Sequence, residues 1–193
     1  MSETKVGEVL EASTASFLAQ SYELHAAPPL GSLVRVEEAD ISIYAVVQDA
    51  NTASIDPGRP PIARGKDAAE EIDIYRENPQ LEKLFRTNFD ALVVGHKANG
   101  FMHHYLPPRP ARVHSFVYGC TPEEVQDFTS SLDFLHLLVN GAGNTDELIA
   151  ACLRRAAEDH VDGYDFKLGA GRELVRVLGG DPHRLGAILR RIR

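Results

Sequence analysis

The sequence predicts an α+β protein in which a small closed N-terminal β-barrel is followed by a C-terminal helical bundle. Short β-rich runs broken by turn residues fill most of residues 1–106, and capped amphipathic helices fill residues 113–193. The segment between them, residues 107–112, holds three prolines, which disfavour both a helix interior and a central strand. We therefore expect a barrel domain, a proline-rich linker and a four-helix domain over these three ranges.

The predicted strands are identified by alternating apolar residues. Every second residue from Ile41 to Val47 is apolar, which is typical of a half-buried strand. The runs 89–95 and 101–106 flank an Asn99-Gly100 turn and predict a hairpin. We expect this hairpin to close the barrel, because closure removes the unpaired edges of the sheet.

The stretch from about residue 51 to 87 interrupts the barrel pattern. It opens with a proline-rich loop. Further on, Asn78 and Pro79 predict the start of a short helix, with asparagine as the N-cap and proline in the first helical position. This range is therefore expected to be an inserted loop with a short helix.

Four helices are predicted after the linker. Residues 121–124 (Thr-Pro-Glu-Glu) form a capping box that starts the first helix, and apolar residues from Val125 to Val139 recur at three- and four-residue steps. The second helix is expected to start at Asn144, and the third to run from about residue 170 to 178. The fourth is expected to start at Asp181.

Four features of the first 45 residues occur together. They are the opening Val6-Gly7-Glu8-Val9, the turn from Ser13 to Phe17, a Pro-x-Gly approach to the run 33–36, and the alternating run after Ile41. Together they resemble a HAS barrel, the small β-barrel that precedes the motor in HerA-type DNA translocases and in F-type ATP synthase subunits. In those families the barrels sit at one end of a ring of ATPase subunits, and in the HerA type they help to dock a nuclease.

The ATPase domain of those families requires a Walker A motif. The only Gly-Lys pair is Gly65-Lys66, which is followed by Asp67 and has Pro60 in the place of the first glycine. The motif therefore fails at two positions. We expect a HAS-like barrel without the ATPase domain, and we expect no cofactor.

Four histidines, His96, His103, His104 and His114, lie within nineteen residues. Successive strand residues point to opposite faces, so at most one of His103 and His104 can join His96. A catalytic zinc site needs three protein ligands and an open position. A small metal-dependent hydrolase that uses this group is the alternative function, although we assign no catalytic, cofactor-binding or metal residue.

Two sets of residues are candidates for contact with a partner. Phe134 and Leu138 lie beside the apolar stripe of the first predicted helix, where the alternative is core packing. The second set forms a basic C-terminal segment and consists of Arg184, Arg190, Arg191 and Arg193. For these arginines the alternative is that they complement the C-terminal ends of the last helices.

Composition and charge define the class of function that we predict. The net charge of −8 and the absence of tryptophan argue against direct nucleic-acid binding, and no apolar run is long enough to span a membrane. The first residues lack the features of a signal peptide, and the two cysteines form no CxxC motif, so we expect a cytoplasmic protein. We predict a non-catalytic assembly or adaptor protein that forms a homo-oligomer and binds a protein partner. The resemblance implies an ATPase ring or a nuclease of a DNA-processing complex as that partner.

Overall fold

The computed structural model describes residues 4–66, 69–141 and 143–192, and over these ranges it contains seven β-strands. The strands are β1 (Lys5–Ala12), β2 (Ser16–Ser21), β3 (Leu33–Glu38), β4 (Ile41–Ser54), β5 (Phe85–Ala98), β6 (Phe101–His103) and β7 (Phe116–Gly119). Six of them form a closed antiparallel barrel in the ring order β1, β2, β5, β4, β3 and β7, with β7 paired to β1. The predicted closed barrel is therefore confirmed.

The strand that closes the ring is β7, which follows the proline-rich segment. It pairs with β1 on one side and with β3 on the other. The predicted hairpin is present, with the Asn99-Gly100 turn between β5 and β6, but β6 pairs with β5 outside the ring. The hairpin therefore does not close the barrel, and the expected linker at 107–112 precedes the last barrel strand. Strand β7 is four residues long, too short to show an alternating pattern.

Apolar side chains fill the interior of the barrel. The alternating residues from Ile41 to Val47 are all buried inside it, as predicted. They pack with inward-facing residues of the other strands, among them Val9, Phe17, Val36, Phe89 and Val117. The opposite face of β4 is also buried, because Tyr44 and Val46 pack against the helices. The strand predicted to be half-buried is thus covered on both faces.

The chain between β4 and β5 forms an insertion, residues 55–84. It lies at the end of the β4–β5 ladder where Ser54 pairs with Phe85. It contains α1 (Glu71–Glu77) and a 3-10 helix (Pro79–Lys83). Strands β4 and β5 stay paired as far as Ser54 and Phe85, so the insertion is shorter than the predicted range 51–87. The helix start predicted at Asn78-Pro79 is the start of the 3-10 helix.

In the described part of the chain, five α-helices follow the barrel where four were predicted. They are α2 (Pro122–Phe128), α3 (Leu135–Val139), α4 (Thr145–Asp159), α5 (Gly163–Val177) and α6 (Pro182–Ile192). The predicted first helix is divided into α2 and α3, because the Ser131 hydroxyl accepts a hydrogen bond from the Asp133 amide and forms a local turn there. Helix α5 starts before residue 170, because Asp162 caps it by accepting a hydrogen bond from the Asp165 amide. Over the described residues, every helix is too short or too polar to cross a bilayer.

The helices pack directly on the outer face of the barrel. Tyr44 and Val94 of the barrel share one apolar core with residues of α2 to α6. The Tyr44 ring stacks on Phe128 with the ring centroids 5.0 Å apart. The residues after the proline-rich segment therefore complete the barrel and cover it.

A buried arginine joins β3 to the start of α2. The Arg35 side chain is 5% exposed, and its Nε lies 2.6 Å from Oε1 of Glu124. The other carboxylate oxygen of Glu124 accepts a hydrogen bond of 2.8 Å from the Thr121 amide, which completes the predicted capping box. Arg35 also pairs with Glu37 and lies 5.0 Å from the centroid of the Tyr118 ring. The cap of α2 is thus fixed to the barrel wall.

Gly31, in the turn before β3, marks a close approach of the barrel to α4. Its φ of +82° is in the left-handed region that favours glycine. A Cβ atom at this position would lie 2.5 Å from backbone atoms of Ala151 and Cys152. The Gly31 amide also donates a 2.8 Å hydrogen bond to the Val47 carbonyl, so the turn is held in place.

Replacing Gly31 with alanine is expected to lower the free energy of unfolding by about 2–4 kcal/mol, from the left-handed backbone and from overpacking against α4. Gly100 is the matched control, because its φ is also +82° while no atom lies within 4 Å of its Cβ position. Gly100→Ala should cost only about 1–2 kcal/mol, the backbone component alone. Urea denaturation measures both losses, and equal losses would contradict the close approach.

Candidate functional site

The insertion folds around a cleft of about 700 Å³. One wall is the loop of residues 55–64, and the other is formed by α1 and the 3-10 helix. Pockets for small-molecule ligands usually have volumes of roughly 300–1,000 Å³. The volume of the cleft lies in that range.

Hydrogen bonds at the base of the insertion hold the two walls together. The Ile55 amide donates to the Leu84 carbonyl at 2.9 Å, which continues the β4–β5 ladder into the insertion. Helix α1 is tied to the chain after β2, because the Tyr75 hydroxyl lies 3.1 Å from Nε2 of His25. The cleft is thus built on the end of the barrel.

The lining of the cleft is mainly apolar. The apolar lining residues are Ile55, Pro60, Pro61, Ile62, Ile74, Leu81, Leu84 and Phe85. Ile62 and Leu84 are 72% and 51% exposed, whereas Leu81 is buried. Exposed apolar side chains grouped in one concave surface are a common feature of interaction sites.

Positive charge lines the same cleft. Arg59, Arg64 and Lys83 contribute three cationic groups, against the single carboxylate of Asp56. The Arg59 Nε lies 3.4 Å from an oxygen of Asp56, and both side chains are exposed. The lining thus has two more cationic groups than carboxylates, whereas the wall helix α1 and its N-cap carry Glu70, Glu71, Asp73 and Glu77.

The four histidines considered for the alternative function lie in three different places. His96 and His103 face each other across the β5–β6 pair, with ring centroids 5.0 Å apart. His104 turns to the opposite face, where Nε2 lies 2.9 Å from a backbone carbonyl of α2. His114 lies 2.5 Å from a glutamate oxygen of β1. The prediction that only one of His103 and His104 can join His96 is confirmed.

The pair formed by His96 and His103 is completed by a tyrosine. Nδ1 of His96 lies 3.2 Å from the carbonyl oxygen of Tyr105, and the Tyr105 hydroxyl lies 3.2 Å from Nδ1 of His103. Over residues 4–66, 69–141 and 143–192, no three His, Cys, Asp or Glu side chains lie close enough together to hold a metal ion. The arrangement is a hydrogen-bonded ring cluster on the inward face of β5, because His96 pairs with Ile43, whose side chain lies in the barrel interior.

The residues predicted to contact a partner have different environments. Phe134 and Leu138 are fully buried in the core shared by the helices and the barrel, so neither side chain lies on the surface. Arg184 pairs with Asp146 and donates a 2.6 Å hydrogen bond to the Thr145 hydroxyl. It therefore fixes α6 to the start of α4.

The other predicted arginines lie at the end of α6. Arg191 pairs with Glu147 of α4, with Nε 3.0 Å from Oε2. Arg190 is exposed, and Arg193 lies outside the described residues. Two members of the predicted basic set, Arg184 and Arg191, thus attach α6 to α4.

The cleft was not predicted from the sequence. Its exposed apolar residues, such as Ile55, Ile62 and Leu84, are far apart in the chain and follow neither a helical nor a strand period. The available clue was the combination of apolar and cationic residues in a segment that breaks the alternation of the barrel.

Comparison of the chain with protein-family models and with curated proteins gives no match. The closed six-stranded barrel is a fold that can carry many functions. Function is therefore argued from the surfaces of this chain, and the HAS-barrel resemblance stays a prediction.

The His96 ring makes the stability of the protein depend on pH. Burial lowers the pKa of His96 from its usual value near 6.5, and the neighbouring His103 acts in the same direction. Below pH 6.5 the histidine of the unfolded chain binds a proton more readily than His96 does in the folded chain. The free energy of unfolding should therefore fall as the pH decreases from about 7 to about 5.

In His96→Asn the free energy of unfolding is expected to fall less at low pH than in the wild type, because asparagine cannot titrate. Asparagine also keeps a donor to the Tyr105 carbonyl. Part of the decrease should remain, since burial also lowers the pKa of His160. His183→Asn, at an exposed position, is the control. Urea denaturation at pH 7.5 and pH 5.5, chosen as about one unit on either side of the histidine value, measures the effect. An unchanged pH dependence in His96→Asn would contradict it.

Proposed function

We propose that the protein is a non-catalytic assembly or adaptor protein and that its insertion cleft binds a segment of another protein chain. The observation that carries this proposal is the cleft itself, where exposed apolar side chains and three cationic groups share one concave surface. A segment that offers an apolar side chain beside carboxylates matches both properties.

Burial of the exposed apolar residues favours complex formation. Each Å² of apolar surface removed from water contributes about 25 cal/mol. Ile62 and Leu84 are the lining side chains with the most to gain, since each is more than half exposed. The cationic groups attract the partner and orient it, because charges mainly determine the association rate and the specificity.

The class of partner is suggested by the resemblance of the first 45 residues to HAS barrels. On that basis the partner is an ATPase ring or a nuclease of a DNA-processing complex. The closed six-stranded barrel is compatible with this resemblance. No observation favours the hydrolase alternative over the adaptor, since the four histidines are divided among three places.

Site-specific photo-crosslinking in the native host cell tests the proposal. A photoreactive residue at Ile62 is expected to form a discrete cross-linked product with a protein partner. The matched control is Glu82, which is exposed in the same insertion but does not line the cleft.

The double variant Arg59→Glu/Arg64→Glu should lower the yield of the Ile62 product by about tenfold or more, since like charges in an interface cost several kcal/mol. Identical products from Ile62 and Glu82, or a yield that the charge reversal leaves unchanged, would contradict the proposed docking site. Mass spectrometry of the product identifies the partner and distinguishes a second copy of this chain from a different protein.

A further inference from the structure

Strand β4 extends beyond its pairing with β3, and one of its edges is free there. Strand β3 pairs with β4 only as far as Val46, and the turn before β3 adds hydrogen bonds to Val47. On the other side, β5 stays paired with β4 as far as Ser54. In the described part of the chain, no strand lies beside residues 49–54 on the side opposite β5. We call residues 49–54 the free edge of β4.

The alternation of the β4–β5 ladder identifies the unpaired backbone groups of the free edge. The Ile55 amide donates to the Leu84 carbonyl at 2.9 Å, in the same register as the rest of the ladder. In an antiparallel pair, residues that exchange hydrogen bonds with the neighbour alternate with residues whose groups point the other way. Ala50, Thr52 and Ser54 therefore direct their amides and carbonyls away from β5. Over the described residues, no backbone hydrogen bond from outside the ladder reaches these three.

The side chains of the free edge leave it open to another strand. Residues 49–53 are exposed, and Ser54 is half-buried. Proteins commonly protect such an edge with lysine or proline, and residues 49–54 contain neither. Between Asp49 and Ser54 every side chain is small and uncharged. An extended backbone can therefore approach and satisfy the unpaired groups.

We infer that the free edge pairs with the free edge of a second copy of this chain, antiparallel about a two-fold axis at Thr52. Ala50 then pairs with Ser54 of the partner subunit, and Thr52 pairs with the partner's Thr52. All outward amides and carbonyls of the three residues gain partners in this register. Contacts of this two-fold kind are the commonest in homo-oligomers. The inference goes beyond the proposed function, because the free edge and the cleft lining share only Ser54.

The charges at the two ends of the free edge favour the antiparallel orientation. Asp49 and Asp90 pair across β4 and β5 at one end, and Ala53 pairs with Arg86 near the other. These positions lie on one face of the sheet, because paired residues and every second residue share a face. Antiparallel pairing places the acidic end of each copy beside the arginine end of its partner. The two Asp49 carboxylates are then six positions apart, or about 20 Å along the strand.

Oxidative cross-linking of the purified full chain tests the register. Thr52→Cys places two identical cysteines opposite each other, with the Cα atoms about 5.5 Å apart, which a disulfide can span. Ala50→Cys is the matched control, because the same residue of the partner lies four positions further along the strand, roughly 13 Å away. We expect Thr52→Cys to form a disulfide-linked dimer and Ala50→Cys to form one only when mixed with Ser54→Cys. The wild type gives the background from Cys120 and Cys152.

Sedimentation velocity of the purified full chain tests the pairing without a cross-link. Six paired residues are far fewer than the roughly 20–30 per side of a standard interface, so the dimer should form reversibly as concentration rises. Its mass should be twice the 21.2 kDa of the monomer. Ala50→Pro removes an outward amide and leaves the β5 ladder intact, and edge strands tolerate such a proline. It should weaken dimerisation about tenfold or more, through the two lost hydrogen bonds. Ala50→Ser keeps the amide and should dimerise like the wild type; circular dichroism melting curves check the folding of each variant.

Three results would each overturn the inference. One is equal cross-linking of Thr52→Cys and Ala50→Cys, which indicates random collision. Another is a wild type that stays monomeric up to roughly 1 mM. The third is a dimer that Ala50→Pro leaves unchanged, which assigns the contact to another surface. The proposed function is decided separately, because a cross-link from Ile62 to a different protein supports the cleft whichever way the free edge behaves.

Discussion

The ion pair between Arg35 and Glu124 is the constraint on which the contact between barrel and helices depends. Arg35 is buried in a barrel strand, and burying a guanidinium without a partner costs several kcal/mol. Glu37 of the same strand and Glu124 of α2 both pair with Arg35, and Glu124 also closes the capping box of α2. The ion pair to Glu124 therefore attaches the start of α2 to the barrel wall. Gly31 adds a second constraint, because its missing side chain allows α4 to approach the turn before β3.

The helices cover one side of the barrel, and the remaining surfaces differ in how far their apolar side chains are exposed. Residues 43–47 of β4 are buried on both faces, so the barrel wall beneath the helices is not available to a partner. The insertion extends from the end of the β4–β5 ladder where Ser54 pairs with Phe85, and it keeps Ile62 and Leu84 more than half exposed. The exposed apolar side chains of the insertion are thus ones that the core does not use.

The sequence pattern predicted those strands and helix starts that depend on residues close together in the chain. The alternation from Ile41 to Val47 identified a barrel strand, and the capping box at Thr121 identified a helix start, because each depends on neighbours in the chain. Strand β7 was not predicted, because its four residues form a strand only through pairing with β1 and β3. The cleft and the burial of Phe134 arise from contacts between distant segments, which single-sequence periodicity does not encode.

The position of β7 determines when the barrel can be completed during synthesis. Glu8 of β1 pairs with Phe116 of β7, which is 108 positions further along the chain (116 minus 8). At about 5–20 residues per second, the ribosome takes roughly 5–20 seconds to supply that partner. Throughout this interval one edge of β1 has no neighbouring strand, and unpaired strand edges promote aggregation. The nascent chain is therefore prone to aggregation during this interval. The duration of the interval depends on the number of residues, including the insertion, that are translated between β1 and β7.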